Sequence, residues 1–261
     1  MAKLLSVIVP AYQQEKTIAK DLERIKKVLA KLRYDYEMIC VVDGQVDKTW
    51  ERAEKAANEK IKVVGYQQNH GKGYAVRFGM AKSRGDFVLF IDAGMEIDPN
   101  GISMLLEHLE WYNADIIVGS KLHPASKVKY SRGRRLLSFG YRLLVRLFTG
   151  LKIADTQAGI KIFRREVLAD TLPRLMVKRF AFDLEILSVA HRLGYRKIFE
   201  APIELDYTFS PLSRAATWQG IKDMLIDTLA IFYRLHILRY YDDKNAGHWR
   251  PEPDLGVKSY G

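Results

Sequence analysis

The chain is 261 residues long, 48% apolar and 28% charged, with 42 Lys and Arg against 31 Asp and Glu for a net charge of +11. That length and apolar share suit a folded core and exclude a disordered or fibrous chain. The excess of positive charge points to an anionic partner, whether nucleic acid, a lipid surface or a phosphorylated substrate.

Strands and helices alternate along the chain. Leu5–Val9 reads as a first strand, because its apolar part is too short for a signal peptide. Thr17–Leu32 is a helix with Ile18, Leu22, Ile25, Val28, Leu29 and Leu32 on one face. Met38–Val42 is a strand that contains Cys40, the single cysteine, which can form no internal disulfide and fits a reducing compartment. A helix over Lys48–Lys60, a strand at Ile61–Tyr66, a helix over Gly73–Ser83 and a strand at Phe87–Ile91 follow. Ile102–Trp111 is a further helix and Asp115–Ser120 a further strand. The rhythm predicts an α/β fold with a mostly parallel central sheet and helices on both faces.

Beyond about Leu122 the pattern is less regular. Arg135, Arg142 and Arg146 recur at helical spacing opposite Leu136, Leu143, Leu144 and Leu147, in the manner of a basic amphipathic helix on an anionic bilayer. Ile221–Leu238 is a second amphipathic stretch, which suits either a membrane surface or packing onto the domain or a dimer partner. The polar segment from Asp242 onward, with Pro251 and Pro253, reads as a mobile tail. No stretch approaches the roughly 18 uncharged apolar residues of a membrane span.

Chemistry concentrates in two places. In Asn69-His70-Gly71-Lys72-Gly73 two glycines flank a lysine just ahead of a helix, an arrangement that lets backbone amides and the positive helix end meet an anion. Asp92 stands at the C-terminal tip of the apolar run Phe87–Ile91, where open α/β sheets bind ligands. Together they suggest a diphosphate held through a metal. Asp43 is either a turn-former before Gly44 or a ligand contact, and Asp155 either a helix cap or a site residue. His70, His108 and His191 show no metal spacing.

Several segments, in order, resemble glycosyltransferase family 2, and within it the polyprenyl-phosphate hexosyltransferases of the dolichyl-phosphate mannose synthase and glucosyltransferase type. They are Val7–Glu15, Val41–Thr49, Asn69–Arg77, Gly85–Ala93, Asp155–Arg164, Phe182–Leu187 and Glu200–Ile203. The resemblance implies a GT-A catalytic domain over residues 1–215, with a nucleotide-sugar half at 1–121 and an acceptor half at 122–215. An amphipathic C-terminal helix at 216–241 and a tail at 242–261 follow. It implies donor contacts at Pro10, Tyr12, Gln14, Glu15, Asp43, Asn69, Gly71, Lys72, Gly73, Arg77, Asp92 and Ala93. On the acceptor side it implies Asp155, Gln157, Arg132 and Arg214, the last within Ser213-Arg214.

Two departures stand out. Gln14 replaces the family's usual Glu, with Glu15 adjacent, and the metal-binding Asp-x-Asp is here Asp92-Ala93-Gly94. A cation bridging a diphosphate needs hard oxygen ligands, so losing one acid should weaken the site unless Glu96 restores it. The expected metal ligands are therefore Asp92 and Glu96, for Mg²⁺ or Mn²⁺. The expected activity is inverting transfer of a hexose from GDP-mannose or UDP-glucose to a polyprenyl or dolichyl phosphate. It would take place on the cytoplasmic face of a membrane, with no nucleic-acid partner. A family member with a saccharide or protein acceptor, and a catalytically impaired nucleotide-sugar-binding homologue, are the alternatives.

Overall fold

The computed structural model describes residues 3–94, 96–126, 132–205 and 218–249, without the side chains of 132–139, 141, 218, 219 and 221. Its frame is a seven-stranded sheet. Strands β1 (Leu4–Ala11), β2 (Asp35–Asp43), β3 (Ile61–Tyr66) and β4 (Phe87–Ile91) lie beside β5 (Ile116–Ser120), β6 (Ile160–Arg164) and β7 (Ile198–Pro202), in the spatial order β3-β2-β1-β4-β6-β5-β7. All neighbouring strands pair in parallel except β6, which runs antiparallel to both β4 and β5. The apolar runs that announce β1, β2 and β4 are buried on both faces, as a sheet covered on each side by helices requires.

One face carries α1 (Ile18–Leu29), α2 (Thr49–Glu54) and α4 (Gly101–Trp111) over a core that includes Leu5, Val7, Val9, Leu22 and Leu89. The other carries α3 (Lys72–Lys82), α6 (Arg165–Thr171) and α7 (Phe182–Arg192) over Ile8, Ile39, Val88, Phe90 and Phe163. Helix α3 sits tightly on the sheet, since a Cβ on Gly79 would come within 2.4 Å of Ile8 Cγ2 and 2.9 Å of Val41 Cγ2. The helix expected over Lys48–Lys60 stops at Glu54, and Asn58 Oδ1 instead accepts the amides of Lys60 and Ile61 to turn the chain into β3. Strands from both sides of residue 121 share one sheet, since β6 and β7 join the strands that β1 begins.

Helix α5 (Arg132–Thr149) lies against α8 (Trp218–Phe232), which passes into a π-helical turn at Tyr233–Ile237 rather than running on to Leu238. Phe148 and Phe232 meet with ring centroids 4.5 Å apart. The mobile tail expected from Asp242 is not seen over residues 242–249, and the rest of that segment lies outside the described residues. Arg174 donates to the Tyr241 carbonyl at 2.6 Å and pairs with Asp243 at 2.7 Å, Arg192 pairs with Asp242 at 2.9 Å, and Trp249 lies on the Arg174 guanidinium at 4.1 Å. Beneath these, the buried Glu185 carboxylate accepts the amides of Met176 and Val177 and the Tyr241 hydroxyl. Polarity misled the sequence reading here because its partners, two arginines and a buried acid, come from distant segments.

Replacing Gly79 with Ala forces Ile8 or Val41 aside in a filled core. The expected loss is about 1–3 kcal/mol in chemical denaturation, with an unchanged slope on denaturant.

Candidate active site

The chain order of β1 to β4 makes the sheet change direction between β1 and β4, and crevices of this kind open at the C-terminal strand ends. Pro10 and Tyr12 stand at the end of β1, Asp43 ends β2, and Asp92 follows β4. Because β6 is antiparallel, with Ile91 opposite Ile160, its N-terminal approach lies at this same edge. The segment Asp155–Gly159 is therefore delivered beside Asp92, whose amide donates to the Gly159 carbonyl at 2.9 Å.

Asp92 fits against a glycine, and any side chain there would have to displace its carboxylate. A Cβ at position 159 would lie 2.2 Å from Asp92 Oδ2 and 2.7 Å from its Cγ. On its other side Oδ2 accepts the Lys72 ammonium at 2.9 Å, while Oδ1 is buried without a partner. Lys72 also lies 3.5 Å from Asp183 Oδ2, and the other oxygen of Asp183 takes the fully buried Lys161 at 2.5 Å. Burial opposes the Lys72 charge, but Asp183 and Asp92 outweigh it and raise its pKa. Burial lowers the pKa of Lys161, against the pull of Asp183. Lys161 Nζ also donates to the Ala158 carbonyl at 2.7 Å, so the same charge line holds the loop that precedes β6.

The loop ahead of α3 works differently from the sequence expectation. The glycines make room for the Lys178–Phe182 segment. A Cβ on Gly71, whose φ is +101°, would lie 2.7 Å from the Lys178 carbonyl, and one on Gly73 would lie 2.4 Å from Phe182 Cβ. Lys72 points to carboxylates within the protein. Asp43 accepts Tyr66 Oη at 2.9 Å, Asn69 Nδ2 at 2.8 Å, and the amides of His70 at 2.8 Å and Gly71 at 3.0 Å, so it shapes this loop. Asn69 spends its amide on the same carboxylate. Arg77 is 1% exposed and donates to the Leu175 carbonyl at 2.5 Å, which places it in the core.

At the end of β1, Gln14 accepts the Thr17 hydroxyl at 2.9 Å and its amide donates to Thr49 at 2.8 Å. Glu15 accepts the Lys48 amide at 3.2 Å and tethers the start of α2. The two departures from the family pattern are neighbours in space, for a Cβ on Gly94 would lie 3.6 Å from Gln14 Nε2. The Gly94 amide donates to Asp21 Oδ2 at 3.0 Å, and burial raises the pKa of Asp21. Asp21 escaped the sequence reading, although an acid among Ile18, Leu22 and Ile25 on the buried face of α1 is its signature. Ala93 and Glu96 are half-buried beside Asp92 in sequence. Among the described residues no group of three or more His, Cys, Asp or Glu is placed to hold a metal.

On the facing side, Asp155 Oδ2 accepts the Lys121 amide at 2.9 Å and its own amide donates to Glu200 at 3.1 Å. No helix follows it, so the cap reading is set aside; β6 begins at Ile160. Gln157 Nε2 is buried without a partner. Arg132 opens α5 with its side chain outside the described atoms, as is that of Arg135, and Arg214 lies outside the described residues.

Comparison with known proteins adds findings of three kinds. The family described as glycosyl transferase family 2 matches residues 6–172. A dolichyl-phosphate beta-glucosyltransferase of Dictyostelium discoideum is 34% identical over 88% of this chain and 74% of its own length. The Homo sapiens protein of that name is 33% identical over 96% of this chain and 78% of its own. Among solved structures, a glucosyl-3-phosphoglycerate synthase from Mycobacterium tuberculosis, in complex with Mn²⁺, UDP and glucosyl-3-phosphoglycerate, superposes with a TM-score of 0.64 at 20% identity. It covers 88% of this chain and 79% of that one. A mannosyl-3-phosphoglycerate synthase from Rubrobacter xylanophilus superposes at 0.67 with 16% identity, over 89% and 74% of the two chains. The two synthases share the GT-A fold with this chain.

Gly159→Ala is expected to push the Asp92 carboxylate from its seat. Calorimetric titration with UDP and Mn²⁺ should show a loss of about tenfold or more in affinity, with a cooperative melt retained.

Proposed function

This chain belongs to glycosyl transferase family 2, and we propose that it transfers glucose from UDP-glucose, with inversion at the anomeric carbon, to the phosphate of a dolichyl or other polyprenyl phosphate. The observation that carries this reading is the likeness to dolichyl-phosphate beta-glucosyltransferases across both sides of the cleft, over 88% and 96% of the chain. The sequence alone left GDP-mannose open; the names of these relatives favour glucose.

The chemistry asks little of a general base. A polyprenyl monophosphate already presents an anionic oxygen at neutral pH. That oxygen forms the new bond to the sugar's anomeric carbon while the bond from that carbon to the donor diphosphate breaks, and the electron pair leaves with the nucleoside diphosphate. Positioning and charge stabilisation are what the protein must supply. Asp155, anchored at Lys121 and Glu200, and Gln157, with a spare amide donor, border the gap between donor and acceptor in this reading. Arg132 and Arg214 supply guanidinium groups for the acceptor phosphate.

The residues beside Asp92 fit a divalent cation in one respect that matters. A buried carboxylate oxygen without a partner is costly, and Asp92 Oδ1 is such an atom. Magnesium sites often use one or two protein carboxylates and complete themselves with phosphate oxygens. Asp92 and Glu96 would hold Mg²⁺ or Mn²⁺ on these terms. The ion would offset the charge that develops on the departing diphosphate.

The acceptor is a lipid, and α5 with α8 offers a surface for one. Leu147 is 73% exposed, Ile237 63%, and Ile226 and Leu229 each 53%, with Arg142 and Arg146 on α5. Among the described residues no helix is long and apolar enough to cross a membrane. A bilayer surface, such as the anionic cytoplasmic leaflet, would take the apolar side chains and attract the arginines.

Incubation with radiolabelled UDP-glucose and a polyprenyl phosphate should yield label extractable into organic solvent, and GDP-mannose should not. Label that stays aqueous, on a saccharide or protein, would overturn the lipid acceptor. Asp155→Asn should keep donor affinity and lower single-turnover rate by about tenfold or more. Changing Arg135, Arg142 and Arg146 together to Glu removes roughly 1 kcal/mol of lipid attraction per residue. Co-sedimentation with anionic vesicles at low salt should then be lost while UDP binding persists.

A further inference from the structure

Four alternating charges run from the cleft into the core. Asp92, Lys72, Asp183 and Lys161 are linked in that order by contacts of 2.9, 3.5 and 2.5 Å. Asp183 and Lys161 are buried, and the Lys72 ammonium is walled by the Phe90 ring at 5.4 Å. Lys72 is therefore fixed between two carboxylates. Two acids are missing in the same neighbourhood, at Gln14 and Gly94, whose positions are 3.6 Å apart from side-chain amide to constructed Cβ. A cation arriving alone would meet Asp92 already half-neutralised, with Glu96 as the remaining nearby acid in the sequence.

From this we infer that Lys72 is a resident cation of the donor site: it occupies Asp92 Oδ2, leaves Oδ1 as the open ligand, and makes divalent-cation binding conditional on the donor diphosphate. The inference rests on the donor-binding reading above. Lys72 is a positioning residue in this scheme, since it acts through Asp92. Two arguments support it. A divalent cation needs several hard oxygens, and with Gly94 in place of the second acid of the metal motif the diphosphate must bring most of them. In addition, a lysine in ion-pair contact with the ligand carboxylate repels a second cation until an anionic partner offsets the repulsion. Gly159 leaves room for the carboxylate in this position, because Oδ2 lies where a side chain at 159 would begin. Metal and nucleotide should accordingly bind as one event.

Manganese is the suitable probe, because the electron paramagnetic resonance signal of free Mn²⁺ counts bound ion without any turnover. In the wild-type protein, Mn²⁺ should bind weakly alone and about tenfold or more tightly with UDP present. Lys72→Met should bind Mn²⁺ without UDP about tenfold more tightly than wild type, and its gain on adding UDP should shrink. Lys72→Arg, which keeps the charge, should resemble wild type. Should Lys72→Met fail to melt cooperatively, Lys72→Gln, which has no charge but keeps a donor, takes its place with the same expectation. A folded neutral variant that gains no affinity for Mn²⁺ alone, beside a wild type that responds to UDP, overturns this inference and leaves the donor reading intact. Wild-type binding that is equal with and without UDP overturns it as well. Failure of all the proteins to bind Mn²⁺ with UDP present overturns the donor reading first and this inference with it.

Discussion

The antiparallel insertion of β6 between β4 and β5 is the constraint on which the site depends. A parallel strand there would send the segment Asp155–Gly159 to the opposite edge of the sheet, away from Asp92. Reversal brings the Gly159 backbone against the Asp92 carboxylate, where there is no space for a side chain, and places Lys161 so that its ammonium reaches back to Ala158. The segments that carry Asp92 and Asp155 thus flank one strand ladder, and neither can move far without the other.

The charge line from Asp92 to Lys161 explains how so many ionised groups are tolerated at the base of a cleft. A lone buried ion is costly, whereas alternating signs at hydrogen-bond distance offset one another and leave a net charge near zero. The line is tied to the sheet through Lys161 on β6 and to the helical layer through Asp183 on α7. Breaking one member exposes the rest, which makes these residues interdependent.

The C-terminal segment shows the same economy with a different purpose. Glu185, fully buried, gathers two backbone amides and the Tyr241 hydroxyl, and Arg174 gathers the Tyr241 carbonyl, Asp243 and the Trp249 ring. These contacts fasten the end of the described chain to α7 and to the turn at Leu172–Arg174.

Much of this was legible in the residues themselves. Apolar runs with period and punctuation are local signals, so β1 to β5, α1 and α4 fall where the sequence puts them, and Asp43 and Asp92 stand at strand tips as expected. The chain order of elements also announced a mostly parallel sheet. Side-chain roles were less legible, because a role depends on partners far away in the chain. Glycines at 71 and 73 look made for a ligand until the Lys178–Phe182 segment fills the space. Arg77, which the family resemblance implies as a donor contact, is buried and bonds the Leu175 carbonyl, and Asp21 has no visible task until Gly94 arrives above it. Strand tips follow from local hydrophobic pattern alone. Which ion meets which, and which strand runs backwards, depends on packing between segments that only the folded chain brings together.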